Sequence, residues 1–306
     1  MTQQRSSPPS VEHDAAAGAA PHAFLSPRFY YTFGPHAPAL IVPSGTTLDI
    51  ACPDSDNAWA DGSTLTLHQR QEAAGSELFQ GNPLAGPIAV EGVQAGETLA
   101  VTIERIILGH QPGQTLLAPG HGAVPSDLLR SSDPTDAPMP KHLHRWVIAP
   151  RSQSATLVNP LGGEPLIVPL RPFVGAIGVC PPWGQAISSL HCGPFGGNLD
   201  LPLLAPGVTI DLPVYHAGAL LMMGDIHAAQ GHGELVGGGI ETAGRIVCTV
   251  RRVADGRRFD FIRLRHERFV GAVAVEGDLR RAVQCATAHL LDWLSAAGRV
   301  HRWDLY

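Results

Sequence analysis

The sequence predicts a mainly β protein, a sandwich or a barrel, with one long helix near its C-terminal end; α+β is the broader class. Two observations lead to this prediction. Glycine (34 residues) and proline (27 residues) make up about a fifth of the 306 positions, against roughly 12% in average usage, and so many turn residues indicate many short elements. Helical periodicity appears only over residues 278–297, where apolar side chains recur at spacings of three and four.

The individual strands are predicted from β-branched or alternating segments that lie between turn residues. Residues 109–145 are rich in Gly, Pro, His and Ser, and we predict a long functional loop there, either a lid or a subunit contact. Residues 1–22 are predicted to be a disordered tail, which leaves 23–306 as a catalytic region, single or made of two intertwined subdomains. The predicted strands are 39–50 (two strands around a turn at 43–45), 96–107, 146–149, 167–170, 173–180, 207–214, 219–223, 245–253 and 259–264.

The composition argues against several classes of function. A net charge of −6 and a pI of about 6.2 provide no basic surface for nucleic acid or an anionic membrane, and no apolar run approaches the roughly 18 residues of a membrane-spanning helix. The five cysteines form no C-x-x-C pair and no secretory leader precedes them, so we predict free thiols in a cytoplasmic protein. Lys141 is the only lysine, which argues against a Ser–Lys or Cys–Glu–Lys mechanism.

The first candidate site is the segment 224–234 (GDIHAAQGHGE), which follows an apolar strand. Alternate residues of a strand point to one face, so Asp225 and His227 would project together, with Glu234 closing the loop and Glu241 on the next segment. A carboxylate and an imidazole from one turn can hold zinc or another divalent ion. The alternative is an exposed Asp/His pair in a loop, and the pattern alone leaves both open.

The second candidate site is the segment 196–200 (GGNLD). Gly196 and Gly197 permit close approach of the backbone to a ligand. Asn198 and Asp200 share a face; the amide can donate to a developing oxyanion, and the carboxylate can bind a metal or orient another ligand. The alternative is a glycine turn followed by an Asx turn.

Two further pairs could bind a cation. Asp54 and Asp56 lie in a polar loop, where paired carboxylates suit a hard cation or a general base, or are simply solvated. His142 and His144 could bind a metal from a strand, although such a pair arises easily by chance among fifteen histidines. The sequence contains no G-x-S-x-G, Walker loop or H-E-x-x-H motif.

Taken in order along the chain, several segments resemble the acetamidase/formamidase family of amide hydrolases. Together they span most of residues 36–300, and the similarity is sharpest in the first candidate site. The segments are 82–92 (NPLAGPIAVEG), 96–101 (GETLAV), 173–179 (FVGAIGV), 196–200, 212–220 (LPVYHAGAL) and 224–234 with Glu241 beyond it.

The resemblance implies a mostly β fold and hydrolysis of a small linear amide to ammonia and a carboxylate. It also implies a divalent metal, zinc first and calcium second, and a homodimer or larger homo-oligomer. Asp225, His227 and Glu241 match the family's cluster of acidic and imidazole side chains. The other matches are Asn198 and Asp200 in its G-G-N-x-D motif and Asp54, or Asp56, in its early acidic loop.

On this basis we expect a metal held by Asp225 and His227 with help from Asp54 or Asp200. Glu234 or Glu241 is expected to be the general acid/base and Asn198 the oxyanion donor. The segment Phe195, Gly196 and Gly197 is expected to contact the substrate.

Two departures from the family pattern leave alternatives open. Many relatives have G-D-G-E where this chain has His232 within GHGE, and a histidine often precedes G-G-N where this chain has Phe195. Hydrolysis of another C–N bond, such as that of a larger amide, is the alternative within enzymes. Outside enzymes, the alternative is a non-catalytic β module that binds a small ligand and contains a structural ion.

Overall fold

β-Strands dominate the fold, and one long helix lies near the C-terminal end, as the sequence predicts. The computed structural model describes residues 20–66, 68–70, 81–109, 112–124, 128, 139–254, 259–298 and 301–306. A single 3-10 turn spans Pro182–Gly184. The strands and α-helices are β1 (His22–Phe24), β2 (Thr32–Phe33), β3 (Leu40–Val42), β4 (Thr47–Cys52), β5 (Ala85–Val90), β6 (Thr98–Leu108), β7 (Gly113–Leu117), β8 (His142–Ala149), β9 (Ser154–Leu157), β10 (Leu166–Pro169), β11 (Phe173–Gly178), β12 (Ile187–Ser188), β13 (Cys192–Gly193), β14 (Gly196–Asn198), β15 (Thr209–Pro213), β16 (Leu221–His227), β17 (Glu241–Thr242), β18 (Gly244–Val253), β19 (Ile262–His266), β20 (Phe269–Val273), α1 (Leu279–Ala297) and α2 (Arg302–Leu305).

Within the described residues, the strands form two large sheets and one small one. The first sheet has the order β1-β4-β18-β6-β15-β19-β20. The second has the order β10-β9-β8-β7-β17-β16-β11-β14-β13, and β5 joins it by pairing with both β16 and β3. The small sheet pairs β12 with β2. Most pairs are antiparallel, and the parallel ones are β1 with β4 and β3 with β5.

The main hydrophobic core draws on both large sheets. Leu48 and Ile50 of β4 enter it from the first sheet, and Ile177 of β11 and Met223 of β16 enter it from the second. All four side chains are fully buried. The strand that carries Asp225 and His227 is therefore packed in the protein interior along its whole length.

The long helix α1 begins where the sequence predicts. Asp278 is its N-cap, and the side-chain Oδ1 accepts a hydrogen bond of 2.9 Å from the backbone N–H of Arg281. Gly298 follows the last helical residue. Among the described residues, no helix combines the length and apolar composition needed to cross a membrane.

The predicted loop at 109–145 is wrong for part of its length. Strand β7 and the first residues of β8 lie inside it, and they pair with each other and, through Gln114, with Glu241 of β17. Sheet pairing overrides the Gly- and His-rich composition that favoured a loop. Residues 110–111, 125–127 and 129–138 of this segment lie outside the described residues, as do residues 1–19 of the predicted tail; β1 begins at His22.

Candidate active site

Neighbouring strands of the second sheet align the candidate residues in one row. His227 at the end of β16 pairs with Phe173 of β11 on one side and with Glu241 of β17 on the other. Glu241 in turn pairs with Gln114 of β7. Because residues directly opposite each other share a face of the sheet, the sheet register itself brings the imidazole beside the carboxylate of Glu241.

The imidazole of His227 is held on several sides. Its Nε2 lies 2.8 Å from Oε1 of Glu241 and 3.6 Å from Oδ1 of Asp225. Its ring packs edge-on against Phe173, with centroids 4.8 Å apart. Only 1% of the side chain is exposed, and Nδ1 has no hydrogen-bond partner among the described residues.

Two loop residues add carboxylates to this centre. Asp200 follows β14, and Glu234 lies in the loop after β16. The structure gives two groups that could hold a metal ion, Asp225–His227–Glu241 and Asp200–His227–Glu234. In each group, the candidate ligand atoms lie within 4.8 Å of one another. Four carboxylates therefore surround a single imidazole.

Three of these acids have a left-handed backbone conformation. The φ angles are +42° at Asp200, +60° at Asp225 and +44° at Glu234. A non-glycine residue in this region is strained by about 1–3 kcal/mol, and such residues concentrate at functional sites. The strain therefore supports a functional role for the centre, independently of its charge.

Burial and charge act in opposite directions on the His227–Glu241 pair. Burial lowers the pKa of His227, but the carboxylates of Glu241 and Asp225 outweigh it and raise the pKa to about 10. Burial raises the pKa of Glu241, but the positive charge of His227 and the hydrogen bond to it hold that pKa below its usual value. The backbone N–H of Gly239 also donates to Oε1 of Glu241 at 2.9 Å. In the absence of a ligand this pair is an imidazolium–carboxylate ion pair.

The other three carboxyl groups hold protons more tightly than usual. Burial raises the pKa of Asp225 well above its ordinary value, and the neighbouring Glu241 and Asp200 raise it further. Burial likewise raises the pKa of Asp200 to about 6 and that of Glu234 to about 7. Asp200 and Glu234 share a hydrogen bond. The centre thus contains more acid than one imidazole can neutralise.

A chain of amides holds Asp200 in place. Nδ2 of Asn198 donates to Oδ2 of Asp200 at 2.6 Å, and Oδ1 of Asn198 accepts from Nδ2 of Asn82 at 2.9 Å. Nε2 of Gln230 donates to the backbone oxygen of Asp200 at 2.9 Å. The sequence assigned no role to Asn82 or Gln230, because their contacts join distant positions and no local spacing signals them.

The glycines before Asn198 allow strands to approach closely. Gly196 and Gly197 have φ angles of +99° and +108°, and a Cβ at either would run into a backbone oxygen of a neighbouring segment, that of Ile177 or His191. The ring of Phe195 is 1% exposed and packs against Phe33, with centroids 5.6 Å apart. The segment just before Asn198 is therefore packed closely against neighbouring backbone.

Asp54 lies close to the centre but outside both ligand groups. Its Oδ1 accepts hydrogen bonds from the backbone N–H groups of Asp56 (3.0 Å) and Ala58 (2.7 Å), which closes its loop. Burial raises its pKa to about 6, and the nearby charges of Asp56 and Glu241 add to the increase. Asp56 accepts from Nε2 of Gln114 at 2.6 Å. This loop therefore contacts the row of site residues at Gln114.

The donor atoms of the centre suit a divalent cation. Buried atoms without a hydrogen-bond partner among the described residues include Nδ1 of His227, Oδ1 of Asp200 and Oε2 of Glu241. Within the described part of the chain, His227 is also the only basic side chain that forms an ion pair with these carboxylates. Carboxylate oxygens together with an imidazole nitrogen fit zinc, and the excess of oxygen also fits calcium.

The fold and site define a strand-rich protein with a buried carboxylate–imidazole centre, and known proteins resemble it in sequence and in fold. The Acetamidase/Formamidase family model matches residues 190–265, a segment that contains all five residues of the two ligand groups. The formamidase of Methylophilus methylotrophus is 42% identical over 62 residues. That alignment covers 20% of this chain and 15% of the relative, so the chain aligns with a small part of the length of this curated protein.

Solved structures extend the similarity over nearly the whole chain. The crystal structure of an acetamidase from Yersinia enterocolitica has a TM-score of 0.75 and is 25% identical, covering 95% of this chain and 86% of that one. An acetamidase from Bacillus halodurans has a TM-score of 0.72 and is 28% identical, covering 92% and 87%. The predicted resemblance to the acetamidase/formamidase family is therefore confirmed.

Proposed function

We propose that this protein is a metal-dependent hydrolase of short linear amides, such as formamide or acetamide, and releases ammonia and a carboxylate. The observation that carries the proposal is the buried centre of four carboxylates and one imidazole, which lies wholly inside the segment that matches the family model. The solved structures that resemble this protein include acetamidases. The relative from Methylophilus methylotrophus is a formamidase.

Asp225, His227 and Glu241 are the first candidates to hold the metal, with Asp200 beside them. To hold a cation, His227 would have to lose a proton from its ring, and the positive charge that offsets the carboxylates would then come from the cation. Zinc is our first candidate and calcium the second. When bound, a divalent ion lowers the pKa of a water molecule towards about 7 and polarises a carbonyl group.

Glu234 is the better candidate for the general acid/base. Glu241 is held by both His227 and the N–H of Gly239, which suits a fixed ligand. Glu234 comes from a loop, is only partly buried, and shares a hydrogen bond with Asp200. In this proposal its carboxylate takes a proton from the attacking water and delivers it to the departing nitrogen.

Asn198 can stabilise the oxyanion that forms during hydrolysis. One N–H of its side-chain amide donates to Asp200, and the second remains for a substrate oxygen. Its position is fixed by the hydrogen bond from Asn82. The predicted substrate-contact segment Phe195–Gly197 would then act by holding Asn198, since the ring of Phe195 itself lies in the core. Removing such a donor typically costs about 3 kcal/mol of transition-state stabilisation.

The test is ammonia release from a panel of short and longer amides, with and without a chelator. We expect release from short amides that a chelator abolishes and zinc or calcium restores, and loss of release in Asp225→Asn. Asp49→Asn, which removes a carboxylate that pairs with Arg245 on the first sheet, is the matched control. Release that persists in a chelator would contradict the role of a metal, and release from larger amides only would favour the alternative substrate.

A folded, metal-bound protein with no activity on any amide would favour the ligand-binding alternative. A catalytic ion leaves a coordination position open and its removal stops turnover, whereas removal of a structural ion unfolds the protein. We also propose, from the family resemblance, that the protein assembles as a homodimer or larger homo-oligomer and, from its free cysteines, that it is cytoplasmic. Light scattering of the purified chain tests the assembly.

A further inference from the structure

Gly175 lies at the boundary between the two ligand groups. In β11 it stands between Val174, which pairs with Ile226, and Ala176, which pairs with Gly224; it therefore faces Asp225 on β16. Its carbonyl oxygen accepts a hydrogen bond of 3.1 Å from the backbone N–H of Asp200. Gly175 therefore lies against Asp225 of one ligand group and Asp200 of the other.

The missing side chain of Gly175 leaves a space between two carboxylates. A Cβ at this position would lie 2.5 Å from Oδ2 of Asp225 and 2.9 Å from Oδ1 of Asp200. The latter oxygen is buried and has no hydrogen-bond partner among the described residues. Carboxylate oxygens of both residues therefore approach the same space, as the ligands of one shared cation would.

The backbone at Gly175 does not itself require glycine. Its φ lies outside the left-handed region, unlike those of Gly196 and Gly197. At Gly178 and Gly224, an added Cβ would meet backbone atoms of neighbouring segments at 2.8 Å and 2.5 Å. At Gly175, two of the three nearest atoms are carboxylate oxygens of the site, and the third is the backbone oxygen of Asp225 at 2.9 Å. The requirement for glycine thus comes mainly from the site.

We propose that Gly175 is a positioning residue whose lack of a side chain keeps open the space in which Asp200 and Asp225 bind one and the same divalent ion. The two ligand groups then form a single centre that contains one ion. This inference rests on the proposed metal-dependent function. It adds that one ion is bound per chain and that Gly175 is the residue that leaves room for it.

The first test compares Gly175→Ala with Gly271→Ala. The control adds the same methyl group to a strand glycine whose nearest neighbour atom, in Leu264, lies 3.7 Å from the new Cβ. The melting temperature of each chelator-treated variant is measured on one sample. Separate folded samples are titrated calorimetrically with Zn²⁺ alone and with Ca²⁺ alone. We expect Gly175→Ala to remain folded without metal, with a lower melting temperature because the new Cβ displaces the side chain of Asp225, and to bind the ion at least about tenfold more weakly. Gly271→Ala should bind as the wild type does.

A second test keeps the inference falsifiable if Gly175→Ala does not fold. Bound metal is counted per chain in Asp200→Asn and in Asp225→Asn. A single shared ion predicts that each variant loses the wild-type ion, whereas two separate sites predict that each variant retains one. Retention of one ion in both variants, or unchanged affinity in Gly175→Ala, would overturn the inference.

These outcomes are distinguishable from a failure of the proposed function. A wild-type protein that binds neither ion would overturn both the proposed function and this inference. A wild-type protein with chelator-sensitive ammonia release, together with a Gly175→Ala variant of unchanged metal affinity, would overturn the inference alone.

Discussion

Two regions of this protein bury carboxylates within strands and surround them in opposite ways. On the first sheet, Asp211 is 3% exposed and pairs with the guanidinium groups of Arg265 at 2.7 Å and Arg263 at 3.4 Å. Arg263 is itself buried and lies over the ring of Phe259, 4.3 Å from its centroid. At the candidate active site, four carboxylates share one imidazole.

Burial alone therefore does not distinguish the carboxylates of the candidate site from Asp211, whereas the lack of compensating positive charge does. Around Asp211, the two cations offset the desolvation of one anion, so the network is complete within the chain. Around His227, acids exceed bases, and the pKa values of Asp200 and Glu234 rise to about 6 and 7 through burial. A site in this state stores unfavourable electrostatic energy that a bound cation relieves.

The largest effect that separates the two regions is the cost of neutralising one carboxylate. Asp211→Asn leaves two guanidinium groups, one of them buried, without their anion, and we expect a loss of about 3–5 kcal/mol in the free energy of unfolding. Asp225→Asn replaces a carboxyl group whose pKa burial raises well above its ordinary value, so neutralising it costs less, and we expect a change of no more than about 1 kcal/mol. Urea denaturation in the presence of a chelator measures both.

The difference in stability between these two variants should narrow when metal is added. Metal should stabilise Asp211→Asn by as much as it stabilises the wild type, and should leave Asp225→Asn unchanged. Equal destabilisation by the two substitutions in chelator would show that other groups of the protein already neutralise the carboxylates of the candidate active site.

A smaller effect is expected when the free energy of unfolding is measured as a function of pH. Because the folded pKa of Glu234 is about 7, raised from 4.5 by burial and by Asp200, its contribution to stability is complete below pH 4.5 and is lost as pH rises through about 7. His227, raised from 6.5 to about 10, acts in the same direction at higher pH. The metal-free protein should therefore be less stable at about pH 8 than at about pH 5.

Glu234→Gln should flatten this decline between about pH 5 and about pH 8, because the amide does not titrate. The measurement is the urea midpoint at several pH values in a chelator, with Asp278→Asn at the exposed cap of α1 as the control. A midpoint that rises with pH in the metal-free wild type would contradict the excess of acid at the site.

The smallest effect concerns Asp54, which the sequence suggested as a metal ligand. Asp54→Asn keeps the oxygen that accepts from the N–H groups of Asp56 and Ala58, so the loop should remain closed and bound metal should stay near the wild-type amount. Asp54→Ala removes that acceptor and should cost about 1–2 kcal/mol of stability. A complete loss of metal in Asp54→Asn would instead make Asp54 a ligand.

Local signals predicted much of the fold and the centre of the site. The turn at 43–45 separates β3 from β4, and the N-cap Asp278 begins α1, as the sequence indicates. Asp225 and His227 were predicted to project together, because strand periodicity alone relates residues two positions apart. In the structure, Nε2 of His227 lies 3.6 Å from Oδ1 of Asp225.

The remaining features depend on contacts between distant positions. Strand β7 was missed because its pairing with β17 joins residues more than a hundred positions apart, and its composition resembled a loop. Asn82 and Gly175 were missed as parts of the site because each acts through a residue on another strand or loop. Asp54 is the exception, because its oxygen accepts from backbone N–H groups only two and four positions later, a local Asx-turn pattern that the sequence interpretation did not use.

The position of β16 has a consequence for how the site can open. This strand is hydrogen-bonded to β11 on one side and to β17 and β5 on the other, so its amides can exchange with deuterium only when the sheet itself separates. Asp225 and His227 lie in this strand, whereas Asp200 and Glu234 belong to loops. We therefore expect the centre to be rigid on its strand side, and the loops to provide the path for the ion and substrate of the proposed function.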